Sequence, residues 1–398
     1  MVEDKFIFFN YSKENRLMYL KYSKFLEFIG IYVCGSYKQI NIKNKDIIID
    51  LNKNLNLISE IKSRIINIDV GTLIKLIDIF ENNNLFESFI NLDYLCINSS
   101  LLEKINNSIN KAINDLEIYY KTNEENLSKD YNVRYAILHC KERSNFTKNL
   151  LNKNLNYNIS DLLKEAYILQ KNFPKISNIN VLIGKIGEIS KEYTMNSIES
   201  FKKATSMTNG QIYQSNILYS LGRICEGIDV LEYLKNDSYE RAYNIIPNYR
   251  NTYKLAEQYI YLESYDISLK YFKECLKEIE YFNFYLSPLE QIYYFKTLSY
   301  MSIIYNKKKE YLLAIENSNK AIDVKNIIYN ERNNPTGYNK LYFDIYNKYL
   351  ANSNLDISDV IDSKLKQMPI KNIYFNLANA YQGLGLNDIS NEYWNLVK

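Results

Sequence analysis

The carboxyl-terminal half of the sequence repeats one arrangement of small and aromatic residues. In the copy closest to the carboxyl terminus, apolar positions define one helical face, Gly385 marks a turn, and a second face follows. The copies in register are Thr252, Leu255, Ala256, Tyr259, Tyr265, Ser268, Phe272 and Cys275; Leu298, Met301, Ser302, Tyr305, Tyr311, Ala314, Ser318 and Ala321; and Tyr374, Leu377, Ala378, Tyr381, Ser390, Trp394 and Val397. Small residues let antiparallel helices approach closely, and rings fill the groove between successive pairs. The pattern therefore predicts stacked helical hairpins.

Two further segments carry the second half of this arrangement without a clear first helix. They are Ser197, Phe201 and Ala204, and Tyr239, Ala242 and Ile246. Together these residues resemble the tetratricopeptide repeat (TPR), whose first helix carries a large residue, then Leu and a small residue, then an aromatic. The resemblance extends over about residues 160–398. It implies an α-solenoid whose concave wall, lined by first helices, binds peptides or other proteins.

The repeat register assigns candidate binding residues to that concave wall. They are Arg250, Tyr253, Glu257 and Tyr261 in one repeat; Lys296, Ser299, Asn306 and Lys307 in the next; and Asn372, Phe375, Asn379 and Gln382 in the last. Asn and Gln amides can bond a peptide backbone, and Tyr and Phe supply stiff contact area. The Lys/Asn arrangement with which some TPR proteins hold a terminal carboxylate is not cleanly present. The expected partner is therefore a protein or peptide other than a chaperone tail.

Residues 5–82 carry a different pattern, in which short apolar runs alternate with helical segments. Strands are predicted at 5–10, 31–37, 46–51 and 66–70, and helices after Ser12 and at 57–65 and 71–80. This alternation predicts a small parallel sheet with helices packed on it. The fold class is therefore a mostly α chain in which a TPR-like α-solenoid follows a small α/β domain.

Sites in parallel sheets lie beyond the carboxyl ends of the strands, so Asn10, Ser12, Asp50 and Asp69 form a candidate pocket. Residues 6–15 (FIFFNYSKEN) resemble the opening of a TIR domain, and the alternation of elements resembles a response-regulator receiver. A receiver would carry paired acids after its first strand, which this chain lacks. Resemblance to a nucleotide-cleaving TIR domain implies a catalytic glutamate. The candidates for that residue are Glu60 and Glu81.

Three segments are predicted: an α/β domain at 1–97, a helical connector or capping helices at 98–160, and the repeats at 161–398. Extra length between Ala321 and Tyr374 has room for one diverged helix pair. That pair is predicted at 338–349 and 357–366.

The composition excludes several classes of function. Glycine accounts for only 11 of 398 residues, which disfavours all-β folds built on tight turns. A net charge of +3 is too small to indicate binding to nucleic acid or to an anionic membrane. No uninterrupted apolar run is long enough to span a membrane, and the acidic amino terminus is unlike a secretory signal. We therefore expect a soluble, cytoplasmic protein with no nucleic-acid or membrane partner.

Residue types that carry catalysis or bind metals are scarce. His139 is the only histidine, and the five cysteines form no CxxC pair, which indicates reduced, buried thiols. Gly184 and Gly187 lack the context of a phosphate-binding loop and are assigned to helix packing. We therefore predict no metal, no cofactor and no catalytic residue.

Three functional hypotheses remain. The first is a non-enzymatic TPR adaptor or regulator that captures a partner on its concave surface, with an α/β head for docking or signalling. The second is a TIR-like NAD-cleaving enzyme governed by the array. The third is a peptide-sensing bacterial regulator, against which the strand-rich start argues, because such receptors commonly begin with a DNA-binding helix-turn-helix.

Overall fold

The computed structural model describes residues 6–12, 15–36, 47–53, 56–64, 68–94, 99–123, 130–208, 212–281, 288–330, 362 and 365–398. The described chain is mostly helical, with one three-stranded sheet near its amino terminus. It divides into two compact units, an amino-terminal unit of Met1–Lys235 and a carboxyl-terminal unit of Asn236–Lys398. The fold class expected from the sequence is confirmed, whereas the segment boundaries after residues 97 and 160 stay a prediction.

The sheet is parallel throughout, and its strand order is β2-β1-β3. The strands are β1 (Phe6–Asn10), β2 (Tyr32–Ser36) and β3 (Ile47–Asp50). Ile7 and Phe9 on the central strand are fully buried, which accounts for the unbroken apolar run in its sequence. The register places Asn10 opposite Asp50 at the carboxyl ends of β1 and β3. Three of the predicted strands are thus confirmed.

Helices account for most of the other described residues of the amino-terminal unit. They are α1 (Arg16–Phe28), α2 (Leu57–Arg64), α3 (Val70–Asn82), α4 (Leu85–Tyr94), α5 (Ser99–Thr122), α6 (Tyr131–Leu150), α7 (Ile159–Asn172), α8 (Ser177–Glu188), α9 (Thr194–Met207) and α10 (Ile212–Ile224). A further helix, α11 (Glu232–Ile245), begins in this unit and ends in the next.

Two local predictions near the amino terminus are wrong. Ser12 does not cap α1; its backbone N–H donates to Asn52 Oδ1 (2.6 Å). Residues 68–70, predicted as the end of a strand, lead instead into α3. The reason is that the Asp69 carboxylate caps this helix by accepting from the backbone N–H of Thr72 (3.0 Å).

Helical hairpins form the described part of the carboxyl-terminal unit beyond α11. They pair α12 (Tyr249–Tyr261) with α13 (Tyr265–Tyr281), α14 (Pro288–Lys307) with α15 (Tyr311–Asn330), and α16 (Ile370–Gly383) with α17 (Asn387–Val397). These are the three repeats that the sequence predicts. The diverged pair predicted at 338–349 and 357–366 lies almost entirely outside the described residues.

A serine hydroxyl bonds across the two helices of each of these hairpins. The bonds run from Ser268 Oγ to the Ala256 carbonyl (2.8 Å), from Ser302 Oγ to the Ala314 carbonyl (2.9 Å), and from Ser390 Oγ to the Ala378 carbonyl (2.8 Å). Ala256, Ser302 and Ala378 have no exposed surface. Small residues therefore hold the helix pairs together as the repeat pattern predicts, because only a small side chain lets a hydroxyl reach the facing carbonyl.

The turns inside the three hairpins share one geometry. Glu263, Lys309 and Gly385 occupy the left-handed region, with φ of 54°, 62° and 76°. In each turn the next residue's N–H bonds a carbonyl five positions back, which is the Schellman pattern. Because Glu and Lys disfavour this conformation, the packing of each helix pair fixes the turn more strongly than its sequence does.

A related hairpin, α8 with α9, lies in the amino-terminal unit. Ser197 Oγ donates to the Gly184 carbonyl (2.7 Å). A Cβ on Gly184 would lie 2.7 Å from the Phe201 ring, and one on Gly187 would lie 2.4 Å from Ser197 Oγ. The assignment of both glycines to helix packing is confirmed, since neither position has room for a side chain.

Candidate partner-binding surface

The first helices of the carboxyl-terminal hairpins, α12, α14 and α16, form a surface that we call the first-helix wall. Side chains join these helices to one another. The Tyr300 hydroxyl of α14 donates to Glu257 Oε1 of α12 (3.1 Å). On its other side, Asn306 Nδ2 donates to the Asn376 carbonyl of α16 (2.9 Å), and Asn376 Nδ2 donates to the Ser299 carbonyl (3.5 Å). Each of these bonds joins one predicted candidate, Glu257, Asn306 or Ser299, to a residue of the neighbouring repeat that was not predicted.

Glu257 lies at the junction of α12 and α14, where its charge is balanced. Its second oxygen accepts from Lys254 Nζ (2.9 Å), while the first accepts from Tyr300. Burial and the Glu257 carboxylate raise the pKa of Tyr300, so this phenol stays protonated and remains a donor. Glu257 thus fixes the spacing of two first helices in addition to facing the wall.

Tyr253 differs from the expectation of an open binding residue. Its side chain is only 4% exposed, and its ring contacts those of Phe272, Tyr293 and Tyr300. Burial raises the pKa of its phenol. Tyr253 therefore supports the wall from beneath, because aromatic residues of the neighbouring α14 cover it.

Other predicted wall residues present accessible surface. Tyr261 is 71% exposed and Phe375 is 46% exposed. Lys307, Asn372 and Gln382 are also exposed, and the half-buried members are Arg250, Lys296, Ser299, Asn306 and Asn379. The wall therefore offers rings and amides beside each other, a combination suited to a polypeptide partner.

Sequence reasoning missed the residues that couple one first helix to the next. Tyr300 and Asn376 each stand two positions before the small residue of their helix, Ser302 and Ala378. The same position in α12 holds Lys254, which bonds Glu257. This shared register position is the signal by which the coupling residues could have been found.

The predicted head pocket is only partly assembled. Asn10 and Asp50 are register partners, and Asn10 Oδ1 is buried with no hydrogen-bond partner among the described residues. Asp50 accepts from the Asn52 N–H (3.1 Å), and Asn52 accepts from the Ser12 N–H. Asp69 is instead engaged in capping α3. Three of the four predicted residues thus share one edge of the sheet.

Glu60 and Glu81, the candidates for a catalytic glutamate, and the single histidine lie on helices of the amino-terminal unit. Glu60 is buried on α2, and Glu81 pairs with Lys21 (2.5 Å). His139 is buried between aromatic side chains, stacked on Phe89 with ring centroids 5.3 Å apart.

In the amino-terminal unit, side chains of α6 and α8 bind backbone carbonyls of the turn that follows α1. Asn178 Nδ2 of α8 donates to the Gly30 carbonyl (2.7 Å), and the Tyr131 hydroxyl donates to the same oxygen (3.1 Å). Asn132 Nδ2 donates to the Ile29 carbonyl (2.8 Å). Asn178 stands six positions before Gly184, as Arg250 of the first-helix wall stands six positions before Ala256. Helices of this chain therefore bind peptide carbonyls of a segment remote in sequence.

Across the residues that the structure describes, no group of three or more His, Cys, Asp or Glu side chains could hold a metal ion. Within the same residues, every helix is too short or too polar to cross a lipid bilayer.

Neither a family model nor a curated protein sequence matches this chain. Among solved structures, yeast Tom70 is 15% identical with a TM-score of 0.42, over 79% of this chain and 59% of the Tom70 chain. Human IFIT1, solved as a dimer with m7Gppp-AAAA, is 12% identical with a TM-score of 0.32, over 80% of this chain and 72% of the other. This chain thus spans less than two thirds of Tom70. Likenesses at these scores carry no information about the partners of this chain.

Proposed function

We propose that this chain is a non-enzymatic, cytoplasmic adaptor or regulator whose first-helix wall captures a peptide or protein. The observation that carries the proposal is the capture of the Gly30 backbone carbonyl by Asn178 of α8, the first helix of the α8–α9 hairpin. First helices that bind the backbone of a separate molecule in this way would form a peptide-binding wall. Backbone hydrogen bonds supply affinity of this kind without requiring one particular partner sequence.

The accessible residues of the wall support the same partner class. Tyr261 presents a ring that loses little conformational freedom on binding, and Gln382 presents an amide that can both donate and accept. Tyr253 and Glu257 are already engaged within the unit and act by holding the helices in place. We therefore assign contact with the partner to the exposed residues Tyr261 and Gln382. Tyr253 and Glu257 keep the wall rigid.

Selection of phage-displayed random peptides on the full chain tests this proposal. The affinity of an enriched peptide is then measured on the wild type and on Tyr261→Ala and Gln382→Ala. Each substitution is expected to weaken binding about tenfold, because each removes a side chain assigned to direct contact with the partner. Tyr329→Ala is the matched control, since Tyr329 is 56% exposed but lies on the second helix α15.

Two results would overturn the proposal. One is that no peptide is enriched, or that Tyr261→Ala and Gln382→Ala bind an enriched peptide as the wild type does. The other is steady cleavage of NAD by the purified chain that is lost in Glu60→Gln or Glu81→Gln, which would establish the TIR-like enzyme instead.

A further inference from the structure

An aromatic pair marks the place where the first internal hairpin meets the next helix. The rings of Tyr253 on α12 and Phe272 on α13 contact each other edge to face, with centroids 5.8 Å apart. Two tyrosines of α14 cover this pair. Tyr293 lies 4.8 Å from Tyr253, and Tyr300 stacks on Phe272 at 5.8 Å. Tyr253 and Phe272 are consequently 4% and 0% exposed.

The last hairpin carries the same pair at the same register. Phe375 precedes Ala378 by three positions, as Tyr253 precedes Ala256, and Trp394 follows Ser390 by four, as Phe272 follows Ser268. The Phe375 and Trp394 rings also meet edge to face, at 5.2 Å and 88°. Here, however, Phe375 is 46% exposed and Trp394 is half-buried. The pair is built like the internal one, but no helix among the described residues covers it as α14 covers Tyr253 and Phe272.

We propose that the open pair of Phe375 and Trp394 binds an α-helix of a partner, which presents two aromatic rings seven residues apart on one face. The internal interface specifies this occupant. Tyr293 and Tyr300 are separated by seven residues, or about two helical turns and 10 Å, and therefore lie on the same face. One of these rings meets the first-helix aromatic and the other meets the second-helix aromatic.

The positions around the open pair agree with this geometry. Val397 stands where Cys275 stands in the internal hairpin, and Cys275 is fully buried with its Sγ 3.6 Å from Thr297 Oγ1 of α14. Val397 is only half-buried. A docked helix would therefore cover Phe375, Trp394 and Val397 together, as α14 covers their three counterparts. Phe375 belongs both to this surface and to the first-helix wall, whereas Tyr261 and Gln382, on which the proposed function is tested, lie outside the pair.

The chain supplies both the probe and the reporter for a test. Trp394 is the only tryptophan, so its emission reports directly on this surface. A synthetic peptide with the sequence of residues 288–307 contains both tyrosines and no tryptophan. Titrating the full-length protein with this peptide is expected to shift Trp394 emission to the blue in a saturable manner. A peptide carrying Tyr293→Ala and Tyr300→Ala is expected to bind at least about tenfold more weakly.

Matched protein variants make the test specific. Phe375→Glu, at an exposed position, is expected to keep its circular dichroism spectrum and to lose at least about tenfold in affinity for the 288–307 peptide. Tyr329→Glu, which changes an exposed aromatic on α15, is expected to bind it as the wild type does. An emission spectrum that does not change at peptide concentrations of about 1 mM, or equal binding by Phe375→Glu, overturns the proposal. The proposal is also overturned if the protein forms a dimer that Phe375→Glu dissociates and the peptide leaves intact. The occupant of the surface would then be a second copy of this chain.

Discussion

Gly30, which ends α1, is the position where a single methyl group should disturb the amino-terminal unit most. Its φ is +81°, in the left-handed region. A Cβ there would lie 2.4 Å from the Tyr131 hydroxyl oxygen and 2.8 Å from Cγ of Tyr135. The Gly30 carbonyl also accepts from both Tyr131 and Asn178. The substitution Gly30→Ala therefore perturbs backbone conformation, packing and hydrogen bonding together.

The expected loss can be assembled from these three effects. The left-handed conformation costs an alanine about 1 kcal/mol relative to glycine. Displacing Tyr131 and Tyr135 inside a packed core costs about 1–3 kcal/mol, and weakening the hydrogen bonds to the Gly30 carbonyl costs about 1 kcal/mol. Gly30→Ala should therefore lower the free energy of unfolding of the amino-terminal unit by about 3–5 kcal/mol.

Gly385→Ala is the matched control, because Gly385 has a φ of +76° but no atom within 4 Å of its added Cβ. It should lose only the backbone contribution of about 1 kcal/mol. Urea unfolding followed by circular dichroism gives the loss for each variant, and hydrogen exchange of α6 peptides locates the effect of Gly30→Ala near Tyr131. Equal losses in the two variants would refute the packing argument.

Three other substitutions or treatments give checks on separate parts of the molecule. Burial raises the pKa of Glu87 from 4.5 to about 7. Between these pH values the folded state binds more protons than the unfolded state. The unfolding free energy therefore falls as pH rises through this window. Glu87→Gln should match the wild type near pH 4.5 and exceed it by about 1–2 kcal/mol above pH 7, allowing for solvent screening of a half-buried group; thermal unfolding at both pH values measures this. Lys309→Gly should add about 0.5–1 kcal/mol to the unfolding free energy by relieving a φ of 62°. Lys307→Gly, at the last residue of α14, should instead lower it by about 0.5 kcal/mol. Burial raises the pKa of the Cys275 thiol to about 12, and iodoacetamide should modify it, as mapped by mass spectrometry, only at the rate at which the protein unfolds.

The sequence was sufficient for features that recur at fixed spacing. Ala256, Ser302 and Ala378 could be predicted as buried contact points because close helix packing imposes the same demand on every hairpin. The central strand could be predicted because a strand buried on both faces is apolar throughout. Both features depend on local residue type and on period.

Features that depend on a neighbouring element could not be predicted in this way. α8 was not recognised as a first helix because Gly184 and Gly187 stand where the other copies have a small residue and an aromatic. Tyr253 was expected to be accessible, but whether it is covered depends on Tyr293 and Tyr300 of the next hairpin. Which candidate residues are buried and which are exposed could therefore be determined only from the arrangement of the helices.

The hydrogen bonds that position the turn between α1 and β2 have a consequence for synthesis on the ribosome. Ser268 reaches its carbonyl across only 12 residues, so a hairpin of this kind can close soon after it emerges. The Gly30 carbonyl instead meets Tyr131 and Asn178 across separations of 101 and 148 residues, and Tyr32 meets Asn216 across 184. The α1–β2 segment is translated before α6, α8 and α10, so it must wait for these helices before its native contacts are complete. Until then its apolar strands are open to chaperones or to aggregation.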